Sequence, residues 1–320
     1  METIIVFAVF FFCVLMLGTI SGIFSERAGI VNIAINGFII FGAIIYLVGS
    51  VIVSDVIFDK NDFDSPSKSP YWEIPLTIIS VVMTMLFSLL FGFATIKLKA
   101  DQTISGFAIN VFAAGIASIL ILILTNIQGG GVFVLLRGRN ELAYDPSLTK
   151  YGNILSFKTF VSIIVIAASW FALRKTRWGL RFRAIGENPQ AADVAGINVN
   201  KIKWEAVLLA GAIAGLAGTF FAVVNTAQFS LTKEVNGYGY LALAIMITSR
   251  WRISISLIVT ALFSLMMSFS YYGIDFLNSP QYADLLKAAP YAVTLVIMVF
   301  TSKTNSGPAA AGIPYDKSKR

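Results

Sequence analysis

Long apolar intervals broken by short charged ones set the first reading of the chain. A charge at the bilayer centre costs about 2.5–3.5 kcal/mol on insertion scales, so uncharged intervals mark candidate membrane spans. The first four are Ile4–Ile20, a run between Arg27 and Asp55, another between Glu73 and Lys97, and one from Asp101 to about Leu124. The next five lie around Phe157–Leu173, Glu205–Asn225, Gly237–Ser249, Ile253–Tyr272 and Leu285–Thr301. The 23 residues between Glu73 and Lys97 make a helix of ~34 Å, enough for a ~30 Å hydrocarbon core. The seventh run is short, since only 15 residues separate Glu234 from Arg250. Its ends either snorkel or form a half-helix inside the bundle. Met1-Glu2 lacks the basic start of a secretory signal, so the first run reads as a retained span.

Composition agrees with the pattern. Of 320 residues 57% are hydrophobic and 13% charged, with mean hydropathy +0.79, against about 25% charged in a soluble domain. The expected fold is an all-α polytopic membrane protein of the cytoplasmic membrane. It is a bundle of about 9 transmembrane helices (range 8–10) with a cytoplasmic coupling helix. Residues 1–303 form the transmembrane domain, 174–203 its cytoplasmic coupling loop, and 304–320 a disordered cytoplasmic tail.

Charge selects the orientation. With the loop 174–203 inside and all nine runs crossing, 16 of the 24 Lys and Arg fall inside. They are Arg27, Lys97, Lys99, Arg174, Lys175, Arg177, Arg181, Arg183, Lys201, Lys203, Arg250, Arg252, Lys303, Lys317, Lys319 and Arg320. The positive-inside rule reads this Lys/Arg excess, and the acids go the other way, 6 inside and 11 outside. The net charge of +7 therefore reflects basic cytoplasmic loops beside membrane lipids and does not point to nucleic acid.

Several chemistries are excluded. The absence of histidine removes His-based metal sites, proton relays and Ser-His-Asp catalysis. The lone Cys13 lies in the first apolar run and reads as a buried packing residue. No G-x-x-x-x-G-K-[ST] occurs, so the chain does not cradle ATP phosphates in the usual way. No catalytic residue, metal site or cofactor of the chain's own is expected, and an enzyme reading has no support.

The longest polar stretch, Arg174 to Lys203, carries a short helix with its own punctuation. Asn188 suits the N-cap, Pro189 the first helical position, and Gly196 the left-handed residue after the end. Two turns are far below the ~12–15 residues an isolated helix needs, so something must hold Pro189–Ala195. It reads as a docking helix aimed at a partner, with Ala191, Ala192 and Ala195 fitting a groove there. Polar residues also enter apolar runs. Asn32, Asn36 and Asn110 should face the bundle interior, and Asn225 ends the sixth span; these four are candidate substrate-path residues. Gly211, Gly215 and Gly218 read as helix-packing positions. Glu26 and Arg27 form a candidate pair at the inner edge.

GENPQAADVAGI followed by NVNKIK resembles the coupling loop of bacterial ABC-importer permeases. FSERAGIVNIAINGF, ISGFAIN, NGYGYLALAIMITSRWR and LLKAAPYAVTL extend the likeness over most of the chain in family order. The family is that of the ribose and branched-chain amino acid permeases, in its simple-sugar and nucleoside branch. Where Asn36 stands, related permeases commonly have Glu, and Ala34 replaces a glycine. The resemblance implies that Glu187, Asn188, Pro189, Ala191, Ala192, Asp193 and Gly196 couple to a separate ABC ATPase subunit, which binds the ATP. It also implies a second permease subunit (a paralogue or copy), an extracytoplasmic substrate-binding protein, and a nucleoside or simple sugar as cargo. The alternative is a self-sufficient secondary carrier or channel for a small polar solute. Such carriers need an ionisable or cation-coordinating site near the midplane; here the acids cluster at span ends.

Overall fold

The computed structural model describes residues 2–53, 70–127, 142, 154–224, 235–272, 283–301 and 307–316. Its regular elements are helical. In chain order they are α1 (Glu2–Arg27), α2 (Ile35–Val51), α3 (Glu73–Gly92, prolonged by a π-helical turn Phe93–Lys97), α4 (Gln102–Ile127) and α5 (Phe157–Lys175). Then come α6 (Arg177–Glu187), α7 (Pro189–Val194), α8 (Val199–Val223), α9 (Tyr238–Thr248), α10 (Ile253–Tyr272) and α11 (Ala283–Thr301). Six described helices, α1, α3, α4, α5, α8 and α10, are long and apolar enough to cross a membrane. The chain is a polytopic helical membrane protein.

Each of the nine apolar runs seen in the sequence falls on a helix. The short seventh run is α9, whose 11 residues reach only ~17 Å. That is about half a hydrocarbon core, so α9 alone does not span it.

The bundle is layered by burial. α1 and α8 form its centre, with α2 beside them; α3, α4, α5, α10 and α11 surround them. The outer helices keep wide apolar faces uncovered, among them Ile78, Ile104, Phe107 and Phe171. In lipid such faces need no protein cover. Between helices the hydrophobic effect is weak in a bilayer, so close backbone approach supplies much of the attraction. Gly42 of α2 and Gly215 of α8 touch: a Cβ on Gly42 would lie 2.6 Å from the Gly215 carbonyl oxygen. A Cβ on Gly218 would run into the carbonyl oxygen of Ile39. Hydroxyls stitch the same seam, with Ser80 donating to the Gly42 carbonyl at 2.7 Å and Thr219 to Ser80 at 3.1 Å.

Candidate functional site

The loop between α5 and α8 is a helical hairpin. Thr176 turns the chain after α5 and accepts from the Gly179 N–H at 3.0 Å, capping α6. α6 buries Phe182 and Ile185 against α1, where Phe24 meets Phe182 edge-on. Asn188 then caps α7, its Oδ1 accepting from the Ala191 N–H at 3.0 Å, with Pro189 at the first position. Gly196 ends α7 at φ +83°. Its N–H donates to the Asp193 carbonyl at 2.9 Å, and that of Ile197 to the Ala192 carbonyl at 3.0 Å. This is the bond pair of a helix closed by a left-handed glycine. Asn198 caps α8 in turn, accepting from the Lys201 N–H at 3.0 Å.

Glu187, Asn188, Ala191 and Gly196 are exposed, Asp193 is half-buried, and Pro189 is buried. Ala192 departs from expectation. It is only 5% exposed and joins a buried cluster with Val199 and Ile202 of α8. The cap bond from Ile197 folds the hairpin back so that this residue faces inward. Val194 is 76% exposed and takes the outward apolar position instead.

A second polar feature lies deeper. Val31 N–H donates to Gln102 Oε1 at the inner start of α4, whereas Gly37 N–H donates to Asn110 Oδ1, both at 2.7 Å. Asn110 lies eight residues beyond Gln102, ~12 Å deeper along the helix. The chain before α2 therefore climbs beside α4, and α2 begins well inside the bundle. Asn110 Nδ2 donates to the Ile33 carbonyl at 2.9 Å and to the Tyr240 hydroxyl at 3.1 Å. α9 arrives at the same place, its Gly239 N–H donating to Asn36 Oδ1 at 3.1 Å. Two interrupted helices thus meet, start to start, on amide side chains. Irregular backbone at membrane depth persists where protein satisfies it in this way. Asn32 is fully buried nearby, and neither atom of its amide has a partner among the described residues. Asn225 lies outside the described residues.

Glu26 and Arg27 do not pair with each other. Trp251, in the turn between α9 and α10, takes both: its indole N–H donates to Glu26 at 2.6 Å. Its carbonyl accepts from Arg27 Nε and Nη2 at 3.2 and 3.1 Å. The sequence gives no signal for this latch, nor for Tyr240 at the asparagines, because the partners are far apart in the chain.

Residues 307–316, within the stretch expected to be disordered, lie along the inner face. Ala310 N–H donates to the Gly186 carbonyl at 2.9 Å, and Lys99 pairs with Asp316 at 3.0 Å. Gly307 lies against the Trp251 ring. Tyr315 walls a cavity of about 290 Å³ with Asp193, Gly196, Asn198 and Asn200. Small residues let this segment pack closely: a Cβ on Gly29 would lie 3.3 Å from the Ala310 carbonyl oxygen, and one on Gly186 3.3 Å from Pro308.

The chain is a helical membrane bundle with two interrupted helices, α2 and α9, and a capped helical hairpin between α5 and α8. The chain belongs to the family of branched-chain amino acid transport system permease components, whose model matches residues 4–302. It is a multi-pass protein of the cytoplasmic membrane. An uncharacterized protein of Mycoplasma pneumoniae is 34% identical over 96% of this chain and 94% of its own length. The nucleoside ABC transporter permease protein NupC of Lactococcus lactis is 32% identical over 95% of this chain and 94% of its own. The guanosine ABC transporter permease protein NupQ of Bacillus subtilis is 31% identical over 96% and 94%. No solved structure matches the chain at a significant level.

Proposed function

We propose that the chain is the membrane-spanning subunit of an ABC importer for nucleosides, driven by a separate ATPase. The observation that carries this reading is similarity along nearly the whole length to two permeases named for nucleoside and guanosine transport. The hairpin supports it physically. α7 is a single capped turn and a half, tied to α8 and presenting Ala191, Val194 and Gly196 outward. An ATPase that grips this face moves α6 and α8 with it. The cargo crosses beside a second permease subunit and is handed over by an extracytoplasmic binding protein.

The amides at the start of α2 suit a neutral, hydroxyl-bearing solute. Asn36 and Asn110 are spent on backbone bonds and hold the two interrupted helices together. Asn32 is not spent, and a buried amide without partners costs about 1–3 kcal/mol. We assign it to the solute path, where another conformation of the transporter exposes it to cargo or water. Asn32→Leu should then leave the folded chain as stable as before or more so, while uptake falls at least tenfold. Thermal unfolding and transport measured on the same preparation separate the two effects. Unchanged uptake would make Asn32 a packing residue only.

Reconstitution tests the function itself. The chain is placed in proteoliposomes with its ATPase, second permease subunit and binding protein, and labelled guanosine and ribose are supplied in turn. ATP-dependent guanosine uptake is expected, with little for ribose. Uptake of ribose alone would reject the nucleoside reading. Uptake driven by a proton or sodium gradient without the ATPase would establish the secondary carrier instead.

A further inference from the structure

A cleft of about 570 Å³ opens at the inner edge of the bundle between α1, α5, α6 and the start of α10. Four arginines line it, Arg27, Arg174, Arg183 and Arg252, and no carboxylate does among the described residues. We propose that this cleft holds the phosphodiester headgroup of an anionic phospholipid from the cytoplasmic leaflet.

The positive-inside rule accounts for basic residues in inner loops but not for their convergence on one cavity. Arg183 and Arg252 both act electrostatically on Arg27, and Glu187, outside the cleft lining, acts on it more strongly than either with the opposite sign. Glu26, the other nearby acid, is engaged by the Trp251 indole. Three of the four guanidinium groups are held in place by the protein. Arg27 is fixed on the Trp251 carbonyl, Arg183 Nε donates to the Gly179 carbonyl at 3.4 Å, and Arg174 stacks 5.7 Å from the Trp170 ring centre. Each keeps further N–H donors for a ligand, and the planar fork of arginine suits phosphate oxygens. The Ser254 hydroxyl accepts from the Trp170 indole at 3.1 Å, which leaves its own proton to donate into the cleft. The first turn of α10 also faces the site, so the positive end of that helix adds to the field.

Position argues for a lipid over a soluble anion. The cleft lies where α1 and α5 end and α10 begins, with two tryptophans at that level, the depth at which indoles mark a membrane interface. Further along the same helices, Phe171 and Ile164 of α5 and Ile258 and Leu262 of α10 are exposed and apolar. An acyl chain can lie along them while the headgroup sits among the arginines. Basic pockets between helices on the cytoplasmic side are known to take such headgroups. The bound lipid would bridge α6, which leads into the hairpin, to α10 and α1.

The test is native mass spectrometry of the purified full-length chain with phosphatidylglycerol or phosphatidylcholine. Phosphatidylglycerol should bind at least tenfold more tightly than phosphatidylcholine, and Arg174→Gln with Arg183→Gln and Arg252→Gln should abolish that preference. Should that triple variant fail to fold, the corresponding Arg→Lys triple variant keeps the charge and should bind with clearly reduced affinity, since the fork is lost. Arg177→Gln with Arg181→Gln, both exposed on α6, should leave binding unchanged. Equal loss in that control, or undiminished preference in the cleft variants, overturns the site. Inorganic phosphate at millimolar concentration should not displace the lipid; full displacement would mean a soluble anion site. Loss of the lipid on binding of the ATPase, with the cleft variants losing the ATPase, would assign the cleft to that protein and overturn the proposal.

Discussion

Gly196→Val should leave the chain inserted and expressed near its normal level while ATP-driven uptake falls by at least tenfold. Gly196 sits at φ +83° and closes α7 with two backbone bonds. A β-branched residue there brings its Cβ against the following carbonyl, at a cost of about 1–2 kcal/mol or more. Nothing lies within 4 Å of a Cβ at this position, so the strain is conformational and not a collision. The bundle absorbs such a cost easily. A helix of 6 residues does not, because below about 12 residues helices depend on outside support. Losing the cap releases Ile197 and, through the bond it makes, Ala192 from the buried cluster under the hairpin. Uptake and co-purification of the ATPase are measured on the same membranes. If Gly196→Val transports normally with its ATPase attached, the hairpin is an ordinary loop.

Gly218→Val should act the other way, depleting the folded protein itself. Its Cβ would collide with the backbone carbonyl of Ile39 and lie 2.7 Å from the Ala43 nitrogen. Both belong to α2, and neither is a flexible side chain that can swing aside. Moving α2 outward would open the Gly42–Gly215 contact and the hydrogen bond from Ser80 to Gly42. Overpacking costs about 1–3 kcal/mol where neighbours yield, and more where they do not. The expected result is loss of monodisperse protein on size-exclusion chromatography and a membrane yield reduced several-fold. Gly115→Val is the control, since nothing lies within 4 Å of its Cβ. Equal yields for the two would show that the α2–α8 seam tolerates separation.

Much of this was legible in the residues. Charge-free intervals locate helices because the bilayer penalises charge at every position, so each interval reports on itself. The caps at Asn188, Pro189 and Gly196 were legible for the same reason, since a cap is settled within four or five residues. What a helix faces was less so. Six residues are too few for a periodic pattern to tell inside from outside, and Ala192 is the case in point. Long-range pairs leave no local trace. Nothing near Asn110 announces Tyr240, and nothing near Glu26 announces Trp251, although each asparagine's inward direction followed from the cost of a bare amide in hydrocarbon. The segment 307–316 misled for a compositional reason: Gly, Pro and Ala read as unstructured, yet small residues are what fit between Gly29 and Gly186.

That segment also makes the inner face a matter of timing. Residue 307 is translated 110 residues after residue 197, which at roughly 5–20 residues per second takes on the order of 5–20 s. Throughout that interval the Gly186 carbonyl lacks the Ala310 N–H, Lys99 lacks Asp316, and the cavity beside Asp193 lacks its Tyr315 wall. A polypeptide cut short before Gly307 stays in that state permanently, with its spans intact. The face around the hairpin therefore exists in two forms during synthesis, one before residues 307–316 emerge and one after they have packed against Gly186 and Lys99.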